Sequence, residues 1–596
     1  MKTHVALALC LTGMSWSVSA AEWHVNPTAA TGGDGSQARP FSSLAETLAA
    51  LPGGPAEPLT VRLAVGTYRI GSALEITAAH TRGQPLVFNG AGKARISGGK
   101  IISPHRASSG WRLDIKGKAP RELFANGERR PRARFPKVGW LRVAEALPDK
   151  RGGFIAQADL PPVGTQAELL FLHDWSVSRI PVKSIRGAEL RTSGPIGFPA
   201  AHYVIDHYEP HPRFCLENDI LLLTEKGTWC ADKDGQVFYL PRDGETFENT
   251  LIEIPVADKL LRVSGTAEKP VRDVRFEGIT FEHCRWDVPP SGYAEGQATK
   301  HVPRDVSEVA GEPHGNWQFV PWAVEVEHAE SVVFRMCRFR NLGGGGVLLG
   351  RATRSCVLDR CQVVEVSGNG IGIGEGGERR VDGKPWWQAA PAEAAAGNRV
   401  ERCLIERCGA QFHGAVGLWV GLAKDSRIQG NEVRHLPYTG ISVGWMWNPT
   451  PTPCGGNLVE GNHIHHVMQL LSDGGGIYTL GRQPGTLLRD NLIHDIPLNA
   501  GLAESNGMFF DQGSSELRIE NNLISSTDRS PLRFHKAGRI VVAGNRWVLP
   551  ENIPALRFNN TPREVIEVGE NPVLGKQEMA ALAAEWRTKH PAPEVK

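Results

Sequence analysis

Net charge is almost missing from this chain: 66 Lys and Arg stand against 64 Asp and Glu, a formal +2 over 596 residues. That balance removes any global reason to expect a nucleic acid or an acidic membrane surface as partner. Long apolar runs are missing too. Past the first residues none approaches the roughly 18 needed for a membrane helix, so no membrane insertion is expected. Cysteine is too sparse and irregular for a disulfide framework, with ten in all and nine once Cys10 leaves with a leader. Only Cys215 and Cys230 are expected to bridge. Tyrosine is scarce, seven against sixteen Trp, which shifts any flat stacking surface to indole rings.

The first residues have the form of a leader. Lys2 gives a weakly positive start, Val5 to Val18 is apolar but too short to span a bilayer, and Val18-Ser19-Ala20 is a small-residue cleavage site. The mature chain is expected to begin at Ala21 in a periplasmic or extracellular space.

What the chain has is a repeat. Nine stretches carry an apolar residue, then Ile, Cys or Asn two or three positions later, then another apolar residue. The pivots are Ile279, Cys337, Cys361, Cys403, Asn431, Asn462, Asn491, Asn522 and Asn545, at steps of 58, 24, 42, 28, 31, 29, 31 and 23 residues. A period of this length with alternating apolar strands means a solenoid, the longer steps carrying insertions. Gly-bounded strands follow the central pivots, as in Gly346-Val347-Leu348-Leu349-Gly350, Gly370-Ile371-Gly372-Ile373-Gly374 and Gly417-Leu418-Trp419-Val420-Gly421. Their period of two predicts an all-β, right-handed parallel β-helix. Recurring Asn fits a turn ladder in which side-chain amides of successive coils bond to one another, and the earlier cysteines fill the same position as buried thiols.

Five regions follow: a leader at 1–20, an N-terminal cap with the first coils at 21–102, a β-rich insertion at 103–256, the main helix at 257–560 and a C-terminal cap at 561–596. An amphipathic helix around Phe41 to Leu51 is expected to cover one open end, and a helix from about Gln577 to His590 to close the other. Inserts near 286–320 and 376–397 break the coils.

Outward strand positions read Leu348, Gly372, Trp419, Ser442, Tyr478 and Phe509. Small residues leave floor space among aromatic surfaces, and loops such as Trp445-Met446-Trp447 supply walls, so a groove is expected along this face. Two acids stand at strand ends beside it, Asp473 in Ser472-Asp473-Gly474-Gly475-Gly476 and Asp511 in Phe510-Asp511-Gln512-Gly513. Paired carboxyls suit glycosidic hydrolysis, one protonating the departing oxygen while the other attacks the sugar carbon or activates water. The alternative is that Asp before Gly is an ordinary turn residue.

The stretches Leu436-Pro437-Tyr438-Thr439-Gly440-Ile441-Ser442-Val443-Gly444-Trp445, Asp473-Gly474-Gly475-Gly476-Ile477-Tyr478-Thr479-Leu480-Gly481 and Asp511-Gln512-Gly513-Ser514-Ser515 resemble glycoside hydrolase family 141. So does Phe276-Glu277-Gly278-Ile279-Thr280-Phe281. The resemblance implies a secreted β-helix acting on plant cell-wall glycans, of α-L-fucosidase or xylanase type, with Asp473 and Asp511 as catalytic pair and Tyr438, Tyr478 and Gln512 at the substrate. Gln512 stands where the family commonly has Glu, and the family's His-rich segment is reduced to Phe534-His535-Lys536.

Other residues have two readings each. Trp419, Trp445 and Trp447 stack on sugar rings or plug the insertion interface. His413 and His535 contact sugar hydroxyls or satisfy backbone groups. Glu504 is a reserve general acid or a solvated loop charge. His463, His465, His466 and His494 form a zinc site or a stacked ladder, His465 and His494 sharing one coil position. The sequence reading is thus a glycosidase with an oligo- or polysaccharide substrate, no cofactor or metal, and an open oligomeric state. A polysaccharide lyase using Arg482, Arg533 and Lys536, or a non-catalytic glycan-binding solenoid, are the alternatives.

Overall fold

The computed structural model describes residues 21–593 apart from 108–109, 116, 165, 208, 233 and 303–316. The expected leader and part of the insert at 286–320 therefore lie outside the described residues. The chain winds into a right-handed parallel β-helix. One face is an 11-stranded sheet running from Leu74–Ile76 to Leu556–Asn559, and a 22-stranded sheet forms the rest of the wall.

Alternation sets the register as expected. Val347, Ile371, Leu418, Ile441, Ile477, Met508 and Leu532 pair in succession and are fully buried in the solenoid core. The opposite row is Leu348, Gly372, Trp419, Ser442, Tyr478, Phe509, Arg533 and Arg557. In the 22-stranded wall Phe88, Phe276 and Phe334 stack face to face at centroid spacings of 5.4 and 4.9 Å, close to the spacing of the strands that carry them.

The Asn ladder is continuous. Asn462 Oδ1 accepts from both the backbone N–H (3.0 Å) and the side-chain amide (2.9 Å) of Asn431, and the pattern repeats from Asn462 to Asn491, Asn522 and Asn545. Asn571, not anticipated, adds a last rung. Cys403 N–H donates to Asn431 Oδ1 at 2.9 Å, while the thiols of Cys361 and Cys403 donate to Phe334 and Leu358 carbonyls of the preceding coil. The thiols thus stand in for the amides. Asn491→Ala leaves the buried Asn462 N–H without its acceptor and takes away the amide that donates to the Val459 carbonyl. A buried polar group left unpaired costs about 1–3 kcal/mol, so urea unfolding of this variant should shift by about that amount.

The insertion's first strand lies just ahead of residue 103. Gly99–Ile102 pairs antiparallel with Ile252–Pro255, making a small sheet with Leu123–Ala125 and Glu128–Arg130. Nor is the insert after Trp286 separate, because Tyr293–Gln297 pairs with Val177–Arg186 and extends the insertion's large sheet. Between the two cores lies a buried ion cluster. Glu168 accepts from Arg121, Arg132 and Arg179, each at 2.9 Å, and Glu217 accepts from Arg179 at 2.7 Å. Arg179 also donates to the Gln411 carbonyl at 2.9 Å, tying the insertion to the coils.

Two further expectations are corrected. Cys215 and Cys230 are free and buried, since Cys215 belongs to the solenoid core and Cys230 to the insertion's own core. The C-terminal helix, Lys576–Lys589, does not close the end of the stack. Met579, Ala583 and Trp586 pack on Leu492 and Leu523, outward apolar residues of the wall, and Trp586 Nε1 donates to the Asp490 carbonyl at 2.7 Å. The coils also continue past 560, through Ile566–Val568. At the other end Leu44–Ala50 does cover the core, capped by Ser43 and burying Leu44 and Thr47.

Candidate active site

Asp473 immediately precedes the strand Gly474–Thr479, with φ at +57°. That left-handed conformation is one Asp tolerates better than branched residues do. The three glycines after it are demanded by packing. A Cβ at Gly474 would lie 2.4 Å from Thr439 Oγ1, at Gly475 2.6 Å from the Asn506 carbonyl, and at Gly476 2.6 Å from Ile493 Cγ2. Asp511 immediately follows the neighbouring strand Ser505–Phe510 and opens a turn closed by Ser514 N–H on the Asp511 carbonyl at 2.9 Å. Gly513 in that turn has φ +78°, and a Cβ there would sit 2.4 Å from the Asn448 carbonyl carbon.

The two carboxyls have different surroundings. Asp511 is 6 % exposed; its Oδ2 accepts from the Tyr478 hydroxyl at 2.6 Å and its Oδ1 meets His535 Nδ1 at 2.7 Å. Asp473 keeps more access, and its Oδ1 accepts from Arg533 Nη1 at 3.0 Å. Loss of water around Asp473 pushes its carboxyl above the usual range, the Arg533 guanidinium pulls the other way, and the negative charge of Asp511 adds to the rise. The carboxyls are thus within electrostatic reach of each other, with neither turned into the core.

The remaining predicted residues divide. His535 touches Asp511, Glu504 lies beside Asp473 through the Gly474 and Ser505 pairing, and half-exposed Gln512 holds the Asp511 turn by accepting Gly481 N–H at 3.1 Å on its carbonyl. Glu504 also faces Arg557 at 3.6 Å. Tyr478 and Tyr438 are buried under the site and position it. Tyr438 donates its hydroxyl to the Asp473 carbonyl at 2.9 Å. Trp419 and Trp445 are corrected as open stacking platforms: both are buried against Phe319, at 4.6 Å for Trp419, because the segment 317–320 folds over them. Trp447 stays half-buried at the edge of that cluster. His413 does not join the aspartates. Its Nδ1 meets the Gly409 carbonyl at 2.8 Å, and burial beside Arg179 lowers it to about 4.

One residue was missed. Asp174, from the insertion, is 1 % exposed; its carbonyl accepts Ser472 N–H at 2.7 Å and its Oδ2 accepts Ala503 N–H at 3.0 Å. Burial, with Asp473 beside it, lifts its carboxyl to about 8. No local signal marks it, since only the docking of the insertion brings it near Asp473.

His463, His465 and His494 form the stacked part of the histidine cluster, and His466 stands edge-on to it. His465 and His494 pair in register and stack at 5.0 Å with rings 14° apart. Their ring nitrogens and that of His463 lie within 4.8 Å of one another, yet near-parallel rings aim their in-plane lone pairs along parallel planes. The contacts are met within the protein, through His463 Nε2 to His494 Nε2 at 2.7 Å and His494 Nδ1 to Asp495 at 2.7 Å.

Residues 322–524 match a family model described as right handed beta helix region. No curated protein matches the chain. Among solved structures it is similar to one named a glycoside hydrolase, at a TM-score of 0.75 and 23% identity over 96% of this chain and 100% of that one. It is more distantly similar to the mannuronan C-5 epimerase AlgE4 A-module of Azotobacter vinelandii, TM-score 0.43 and 11% identity over 93% and 96% of the two chains. A GH136 lacto-N-biosidase of Eubacterium ramulus gives 0.42 and 9% over 93% and 67%. The family model and the first of these structures agree with the β-helix fold.

Proposed function

We propose that the protein is a secreted glycoside hydrolase acting on plant cell-wall-type glycans, of fucosidase or xylanase type, with Asp473 as general acid and Asp511 as nucleophile or general base. The observation that carries the reading is the unequal treatment of two carboxyls at the ends of adjacent strands. Burial holds the Asp473 carboxyl above its usual range, while Asp511 sits between the Tyr478 hydroxyl, which donates to it, and the His535 imidazole. Carboxyls held in such different environments are what divides the acid role from the base role. The fold likeness to a structure named a glycoside hydrolase supports the reaction class.

A lyase would need a cation to neutralise a uronate. Arg533 is instead bound to Asp473 and lies 4.0 Å over the Phe509 ring, and Arg482 is paired with Glu516 at 2.8 Å. Neither guanidinium is left free to neutralise a uronate, so a neutral sugar fits this site better. Incubation with neutral wall oligosaccharides should release new reducing ends without ultraviolet absorbance near the unsaturated-uronate band. An unsaturated product would replace this reading by the lyase; tight binding with no product would replace it by a glycan-binding solenoid.

A further inference from the structure

Upstream of the aspartates, on the same sheet face, lies a cleft of about 300 Å³, the lower end of the range for small-ligand sites. Its floor includes Leu348 and Trp419, members of the outward row that continues through Ser442 to Tyr478. Trp419 and Tyr478 are two coils apart, about 10 Å along the helix axis, on the scale of a disaccharide. The wall between them is continuous. Trp447 meets Trp317 of the cleft edge-on at 5.7 Å, and Asn448, the next residue, abuts Gly513 of the Asp511 turn.

The cleft has the chemistry of a carbohydrate site. Trp317 and Phe319 keep part of their rings exposed, and flat apolar rings of this kind receive the C–H face of a pyranose. Beneath them Lys300, 1 % exposed, is paired with Glu378 and lies 4.8 Å from the Phe319 centroid. Glu375 accepts twice from Arg379 at 2.7 Å. Glu393 also pairs with Arg379 at 2.7 Å, so three carboxylates stand against two cations and no free positive charge is left for an anion to seek, while the carboxylates' remaining lone pairs suit hydroxyl donors.

We infer that this cleft is a subsite for the distal rings of a neutral oligosaccharide whose cleaved bond lies at Asp473 and Asp511. The inference rests on the hydrolase reading for the position of the cut, but the binding stands by itself. Calorimetric titration of the full-length Asp473→Asn protein with neutral xylo-, cello-, manno- and xyloglucan oligosaccharides of two to six rings, and with oligogalacturonides of equal length, tests it. Affinity for one neutral series should rise about tenfold or more with length, a gain of about 1.4 kcal/mol. Trp317→Ala, which removes the platform, and Leu348→Trp, which fills the cleft from its floor, should each erase that gain while leaving two-ring binding unchanged.

The inference is overturned if no neutral series shows a length gain, if the gain survives both substitutions, or if oligogalacturonides bind better. Cleavage by the unaltered enzyme separates the two readings. Length-dependent binding with no series cut sinks the hydrolase and leaves the cleft; cutting that is indifferent to length and to Trp317 sinks the cleft alone.

Discussion

Asp511→Asn should turn over substrate about 10³- to 10⁴-fold more slowly than the unaltered protein, with its unfolding curve unchanged. The amide has the size of the carboxylate and can still accept from one neighbour, so the turn at Gly513 persists. It cannot attack carbon or take a proton, and its NH₂ faces either the Tyr478 hydroxyl or His535, each of which met a carboxyl oxygen before. Asp473→Asn should lose as much on a natural glycan yet recover most of its rate on an aryl glycoside with an acidic phenol, because a good leaving group needs no proton from the enzyme. The contrast assigns the roles, and steady-state kinetics on the two substrate types reads it. If both variants keep full activity, neither aspartate does the chemistry. The alkaline limb of kcat/KM should follow Asp473 losing its proton, and since burial holds that carboxyl above its usual range, activity extends further toward neutrality than an ordinary aspartic acid allows.

Glu168→Ala should lower stability by about 3–5 kcal/mol. The change withdraws the carboxylate that Arg121, Arg132 and Arg179 share, and Glu217 alone then faces them. A buried guanidinium without its counter-charge is far more costly than the intact cluster is stabilising. Because Arg179 also reaches the Gln411 carbonyl, loosening it should free the insertion from the coils as well. Urea unfolding followed by tryptophan fluorescence, with limited proteolysis between 99 and 255, checks both effects; a shift below about 1 kcal/mol would mean that water reaches the cluster.

The periodic parts of the molecule could be read from the chain because each coil repeats the same local rule. Asn at one position and apolar residues at alternate positions define the ladder, the inward row and the outward row, and both aspartates fall where that register puts them. What stayed hidden depends on contacts between segments far apart in sequence. Trp419 occupies an outward position, as read, yet Phe319 covers it, and nothing at residue 419 announces residue 319. Asp174 reaches Ser472 across the seam with the insertion for the same reason. The final helix was legible as a helix, whereas its seat depended on Leu492 and Leu523 pointing outward on coils well before it.

The arrangement of Asp174 over Ser472 also has a meaning for biogenesis. The segment carrying Asp174 precedes Asp473 and Asp511 in the chain, so it is made, and can fold, before the ribosome reaches either of them, whereas the rungs at Asn522, Asn545 and Asn571 come after both. A nascent polypeptide stopped ahead of residue 472 holds a folded insertion with no Ser472 backbone to receive it, and the acids meet only when the later coils are laid down.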